Sequence, residues 1–174
     1  MKSIKKIGLF LTAGLLSLNA MAQTNNDIVD IAAGSADHTT LVAAVKAADL
    51  VSTLKSKGPF TVFAPTNTAF EKLPQGTVAN LLKPENKSTL TGILTYHVVS
   101  GNLDAKNVLA AIKKGNGKAV LTTVAGGNLI ATLENGKVVI TDDKGGKATV
   151  TAADLKASNG VIHVIDAVLL PNAK

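Results

Sequence analysis

The chain has 174 residues, with 18 lysines, no arginine, 12 acidic residues, three histidines and no cysteine. Without cysteine there is no disulfide framework, no thiolate metal site, no cysteine nucleophile and no lipidated cysteine anchor. Without arginine or tryptophan, the usual phosphate fork and two of the strongest interface residue types are missing.

At 46% apolar and 17% charged residues the chain is too hydrophobic for disorder. Its length suits one domain, able to bury roughly two-thirds of its unfolded surface without disulfides.

Lys2, Lys5 and Lys6 precede an apolar run from Ile7 to Leu18, and Ala20-Met21-Ala22 puts small residues where a signal peptidase reads. Residues 1–22 therefore read as a secretory signal peptide, with cleavage expected before Gln23. The run is about a dozen residues, short of the roughly 20 that a helical span needs. No transmembrane anchor is expected there or later, and the expected localisation is secreted or periplasmic. Beyond residue 22 the chain holds 15 lysines against 12 acids, a net +3. Its densest basic group is Lys113, Lys114 and Lys118. That is too sparse for a nucleic-acid footprint.

Residues 23–26 are a polar N-terminal tail. Asp27 to Ala33 carries Ile28, Ile31 and Ala32 at helical spacing and closes at Gly34. The run Asp37-His38-Thr39-Thr40 can cap a helix with the stripe Leu41, Ala44, Val45 and Ala48. Leu50, Val51 and Leu54 suggest a further short helix before Lys57-Gly58. Phe60 to Ala64 reads as a strand that is apolar on both faces, hence internal, and is stopped by Pro65. Thr66, Asn67 and Thr68 offer cap oxygens to a short helix through Ala69, Phe70 and Leu73, and Thr68 with Glu71 fits a capping box. Val78 to Leu82 is another short helix. Leu90, Ile93, Leu94 and His97 share a helical face running into Tyr96-His97, and Asp104 to Lys114 is the last helix.

From Lys118 the period changes to two. Strands are expected over Ala119–Val124, Asn128–Leu133, Val138–Thr141, Ala148–Val150 and Val161–Leu170. The turns between them are glycine-rich, with Asn135-Gly136 the strongest hairpin signal. Helices first and strands afterwards describe an α/β chain of the α+β kind.

Three segments, in order, resemble the fasciclin (FAS1) domain family: Phe60-Thr61-Val62-Phe63-Ala64-Pro65-Thr66-Asn67-Thr68-Ala69-Phe70, then Tyr96-His97, then Asn159-Gly160-Val161-Ile162-His163-Val164-Ile165-Asp166 running on to Pro171. The resemblance covers residues 27–172. It implies a wedge of strands packed with short helices, acting outside the cytoplasm in adhesion and surface or matrix interactions, with no catalysis and no cofactor. Surface or extracellular proteins or matrix are the implied partners, and a monomer is expected. Within these blocks Phe60, Thr61, Phe63, Pro65, Thr66, Asn67, Phe70, Asn159, Gly160, His163 and Val164 read as structural. His163 lies on an apolar strand face, where a neutral imidazole must find both a donor and an acceptor. By resemblance to animal members that bind integrins, Asp154-Leu155 and Tyr96-His97 are the candidate binding positions. Ala152-Ala153 and Lys156 depart from that family pattern.

An enzyme is disfavoured. There is no Gly-x-Ser-x-Gly elbow, no His-Glu-x-x-His helix and no phosphate loop. Ser100 near His97 and Ser158 near His163 have no diagnostic spacing. The three histidines lack metal-ligand spacing, and Asp142-Asp143 falls short of a calcium loop. The remaining alternative is a carrier of a small apolar ligand or lipid, held between strands and helices.

Overall fold

The computed structural model describes residues 25–172, and every structural statement below concerns those residues. The signal-peptide reading of residues 1–22 and the cleavage before Gln23 lie outside them. Of the expected tail, Asn26 is already bound to the fold, its carbonyl accepting from Ser158 N at 2.9 Å.

The first helix, α1 (Ile28–Ala33), starts where Asp27 accepts from Asp30 N at 2.9 Å and the Asp30 carboxylate reaches back to Asp27 N at 3.3 Å. This reciprocal cap satisfies two donors that a helix start otherwise leaves open. Lys55 clamps both carboxylates at 2.8 and 2.6 Å. After a 3-10 turn at Ala36–His38, α2 (Thr39–Ala47) buries Leu41, Ala44 and Val45, with Ala48 just past its end. The expected cap from Asp37–Thr40 is not made by those side chains. It comes from Asn67, whose Oδ1 accepts from Thr40 N at 3.0 Å.

Next follow α3 (Val51–Leu54), β1 (Phe60–Pro65) and α4 (Asn67–Glu71). Thr66 caps α4, accepting from Ala69 N at 3.3 Å. The Thr68–Glu71 capping box is therefore replaced, because the helix begins ahead of Thr68. The helical half closes with α5 (Thr77–Leu81), a 3-10 turn at Pro84–Asn86, α6 (Lys87–Tyr96), β2 (Val98–Ser100) and α7 (Ala105–Lys114). Asp104 caps α7, accepting from Asn107 N at 2.8 Å.

The remaining strands are β3 (Lys118–Thr122), β4 (Asn128–Glu134), β5 (Lys137–Thr141), β6 (Lys147–Ala157) and β7 (Gly160–Ile165). The sheet runs in the order β2-β1-β7-β6-β5-β4-β3. The β1–β7 pair is parallel and the other neighbours are antiparallel. The two ends of the sheet touch through a Val99–Thr123 bridge and a 2.7 Å bond from Val124 N to Val98 O. The result is a curled wedge rather than a flat sheet.

The apolar core lies in two layers, one on each face of the β1–β7 pair. Helices α1, α2 and α6 pack Ile28, Leu41, Val45 and Leu94 against Val62, Ala64 and Ile162. On the opposite face Phe63 and Ile165 join Tyr96, Val108, Ile112, Leu129 and Ile140, closed by α7. Alternation along a strand produces this split, since successive side chains point to opposite faces. Strand β1 is internal, as its two apolar faces predict, and β7 runs beside it.

Three strand limits differ from expectation. Strand β7 stops at Ile165, because Asp166 turns to accept from Thr149 N at 2.7 Å and the chain then leaves the sheet. Strand β6 is far longer than Ala148–Val150. It follows β7 across two register shifts, between Val150 and Ala152 and between Ala152 and Leu155, which erase the alternation a sequence reading relies on. Val98–Ser100, to which the sequence pattern assigns no element, forms β2 against β1. At Asn135-Gly136 both residues have positive φ, 51° and 77°, as a tight two-residue hairpin requires.

Candidate functional site

The motif residues meet at the centre of the molecule, and most of them are occupied there. Phe63 is 1% exposed and its ring stacks on His163, with centroids 5.6 Å apart. Phe70 and Val164 are buried, and Phe60 is half-buried against the helical layer. Pro65 ends β1, paired with Ile165. Thr61 is fully buried; its hydroxyl donates to Gly101 O at 2.7 Å and accepts from Leu103 N at 2.8 Å.

Asn67 ties α4 to α2: besides accepting from Thr40 N, it donates to Ala36 O at 2.9 Å. Asn159 does similar work at the entrance to β7. Its amide donates to Leu54 O at 2.6 Å and Ser56 O at 3.0 Å, and its oxygen accepts from Ile28 N at 3.1 Å. Gly160 follows because any Cβ there would collide with the Phe60 carbonyl oxygen.

His163 is 2% exposed and satisfied. Nε2 donates to Leu103 O at 2.6 Å, so Nδ1 is free to accept from Asp154 N at 3.4 Å. The Tyr96–His97 pair is buried as well, at 0% and 2% exposure, so neither side chain is offered to a partner. Tyr96 donates its hydroxyl proton to Asn128 O at 2.8 Å and accepts from Asp143 N at 3.0 Å, while Gly127 lies flat on its ring, where a Cβ would come within 2.6 Å of it. Burial, aided by the nearby Asp143 and Asp142 carboxylates, pushes its hydroxyl pKa up to about 12.

His97 donates from Nδ1 to Ile93 O at 2.8 Å and accepts at Nε2 from Leu169 N at 3.0 Å. The Leu169 N–H demands the neutral ring, and burial pushes its pKa down to about 4 against the opposing hydrogen bond to Ile93 O. The two central histidines thus hold opposite tautomers. Asp142 also works internally: its carboxylate accepts from Lys144, Gly146 and Leu170 N–H groups at 3.0, 2.7 and 2.9 Å.

Asp154-Leu155 differs from all of these. Both residues are exposed, and they ride on the second irregularity of β6, with Asp154 at φ 60°. The local expectation for Asp154 is a cap on the turn before Asn159-Gly160. Instead its Oδ1 accepts from Ala105 N at 2.7 Å, adding a second carboxylate to the first turn of α7. Leu155 stays 38% exposed and borders Ile31, His38 and Ile162 on the other face of the strand. Strand alternation missed a second exposed apolar feature. Val120 (66% exposed) and Ile130 (37%) face each other across β3 and β4 on the outer side of the wedge. In Ala119-Val120-Leu121 every residue is apolar, so the sequence does not mark which one points outward.

The buried apolar cavities are small, and the larger hollows, about 550 Å³ beside Lys55 and Asn159 and about 450 Å³ beside Ile93 and Leu170, are open surface clefts. The apolar void between α1, α2 and the β1–β7 pair measures about 30 Å³, whereas a drug-sized ligand needs roughly 300 Å³ or more. The interior between α1, α2 and the β1–β7 pair therefore offers the carrier alternative no ligand-sized chamber. Ser35 Oγ and His38 Nδ1 are 2.8 Å apart on one short turn, and His38 Nε2 lies against the Ala64 backbone without reaching hydrogen-bond geometry. No group of three histidine or acidic side chains among the described residues is placed to hold a metal ion. Nor is any described helix long and apolar enough to cross a membrane.

Comparison with known proteins agrees with this geometry. The Fasciclin domain family model matches residues 36–171. Protein sll1483 of Synechocystis sp. is 55% identical over 144 residues, covering 83% of this chain and 73% of its own length. Immunogenic protein MPB70 of Mycobacterium bovis is 36% identical over 165 residues, covering 92% of this chain and 76% of its own. Among solved structures, a FAS1 domain pair from the insect cell adhesion molecule Fasciclin I matches with a TM-score of 0.59 at 26% identity, over 75% of this chain and 43% of that one. Sequence blocks, fold and family model coincide, and the chain belongs to the fasciclin domain family.

Proposed function

We propose that this chain is a secreted or periplasmic binding module that attaches to surface or extracellular proteins or matrix, in the manner of an adhesion domain and without catalysis, and that it makes contact through Asp154 and Leu155. One observation carries the reading. The motif side chains are consumed by the interior, while an acid and a large aliphatic residue are left exposed at consecutive positions on an irregular stretch of β6. Bulges of this kind re-aim side chains and recur next to functional sites. The second Asp154 carboxylate oxygen has no partner among the described residues, so a cation or donor on a partner has room to engage it. Membership of a family that includes a cell adhesion molecule supports the same reading.

The test is saturable attachment of residues 23–174 to cells or matrix, compared with Asp154→Asn and Leu155→Ala. Asparagine tolerates positive φ and still accepts the Ala105 N–H, so it removes only the charge. Each variant is expected to weaken attachment about tenfold, which corresponds to about 1.4 kcal/mol. Undiminished attachment by both variants would exclude the bulge. Attachment that never saturates would exclude the module.

A further inference from the structure

The sequence contains three asparagines followed by glycine: Asn116-Gly117, Asn135-Gly136 and Asn159-Gly160. In such pairs no Cβ shields the glycine nitrogen from the asparagine side-chain carbonyl. The three pairs share this intrinsic chemistry, but the fold treats them differently. From that difference we propose that Asn135 is the site of spontaneous deamidation in this protein, and that the fold protects Asn116 and Asn159.

The reaction needs no enzyme and no oxidant. The backbone nitrogen of Gly136 loses its proton to hydroxide and attacks Cγ of Asn135. The new N–Cγ bond closes a five-membered succinimide, and the Cγ–Nδ2 bond breaks to release ammonia. Water then opens the ring at one of its two carbonyls, leaving either aspartate or isoaspartate. The net change is one water gained and one ammonia lost.

At Asn159 this attack is blocked on both sides. The carboxamide is held by three hydrogen bonds, to Leu54 O, Ser56 O and Ile28 N. Its own carbonyl accepts from Phe60 N at 3.1 Å, and Gly160 is wedged against the Phe60 carbonyl. At Asn116 the attacking nitrogen itself is engaged, since Gly117 N donates to Ile112 O at 2.8 Å at the end of α7. At Asn135 neither constraint exists. Among the described residues nothing accepts from or donates to its side chain, and Gly136 N has no acceptor.

The β4–β5 tip is also the easiest of the three places to open. Five consecutive residues, Leu133 to Lys137, are exposed, and Glu134↔Lys137 is the pair that closes the turn. Local opening of such a tip requires little free energy compared with a core element. The product changes the hairpin. Aspartate adds a charge beside Glu134, whose carboxylate already pairs with Lys147 at 2.7 Å. Isoaspartate adds a methylene to the main chain at the residue whose positive φ sets the turn.

The experiment is incubation of the purified protein at mildly alkaline pH and physiological temperature, folded and in urea, with peptide mapping by mass spectrometry at all three asparagines. In the folded protein Asn135 is expected to convert at least about tenfold faster than Asn116 or Asn159. In urea the three rates should converge. Three results would each overturn the proposal: Asn116 or Asn159 matching Asn135 in the folded state, an Asn135 lead that persists undiminished in urea, or no conversion at Asn135 while the unfolded chain converts.

Discussion

Acid should weaken this domain through His97 in a calculable way. The ring is held neutral between Ile93 O and Leu169 N, and burial lowers its pKa from the ordinary 6.5 to about 4. Between those values the unfolded chain takes up a proton that the folded chain refuses, so stability is complete above pH 6.5 and declines as pH falls toward 4. At about 1.4 kcal/mol per pH unit, the loss over that window is about 3 kcal/mol. Against a typical total of roughly 5–15 kcal/mol this is a large share.

Urea unfolding across that window, on the native protein and on His97→Gln, reads the effect directly. Glutamine offers the same donor and acceptor to Ile93 and Leu169 but cannot be protonated, and the difference between the two proteins removes the acid response of every other group, His38 included. The stability gap between them should change by about 3 kcal/mol from neutral pH to pH about 4, in the direction that favours the glutamine variant in acid. A gap that stays constant with pH would refute the account of His97 as a buried neutral clamp.

Two further outcomes follow from the same interior. Tyr96 is the chain's one tyrosine, so near-ultraviolet absorbance in alkali reads its hydroxyl alone; the midpoint should fall near 12 rather than at the ordinary 10.0, and a midpoint at 10.0 in folded protein would show the ring to be solvated. Asn159→Ala removes three hydrogen bonds that hold Leu54, Ser56 and Ile28 to the start of β7, and at about 1 kcal/mol each it should lower unfolding free energy by about 3 kcal/mol, measured by urea midpoint.

What the sequence made legible was local. Asp27, Thr66 and Asp104 announce helix starts because a cap acts over three residues. The apolar faces of β1 and the Asn135-Gly136 turn are equally short-range signals. What escaped was decided at long range. Asn67 looks like a cap for its own helix and instead caps α2, and Asp154 looks like a turn residue and instead reaches the start of α7. Tyr96 carries no mark of burial, because the segment that covers it, Gly127-Asn128, lies far along the chain. The length of β6 was hidden for a similar reason: its irregular pairing is imposed by β7, and the six residues Thr151 to Lys156 are all exposed, with no alternation of their own.

The parallel pairing of Phe60 with Gly160 and of Pro65 with Ile165 sets a condition on how this molecule comes into being. Its innermost ladder joins two segments about a hundred positions apart, so the chain must be made as far as Ile165 before its middle can close. Contacts of such separation slow folding, since a long loop must be gathered before any reward arrives. A copy truncated just ahead of Asn159 would keep the sequences of α1 to α7 and still lack the strand around which both core layers are arranged.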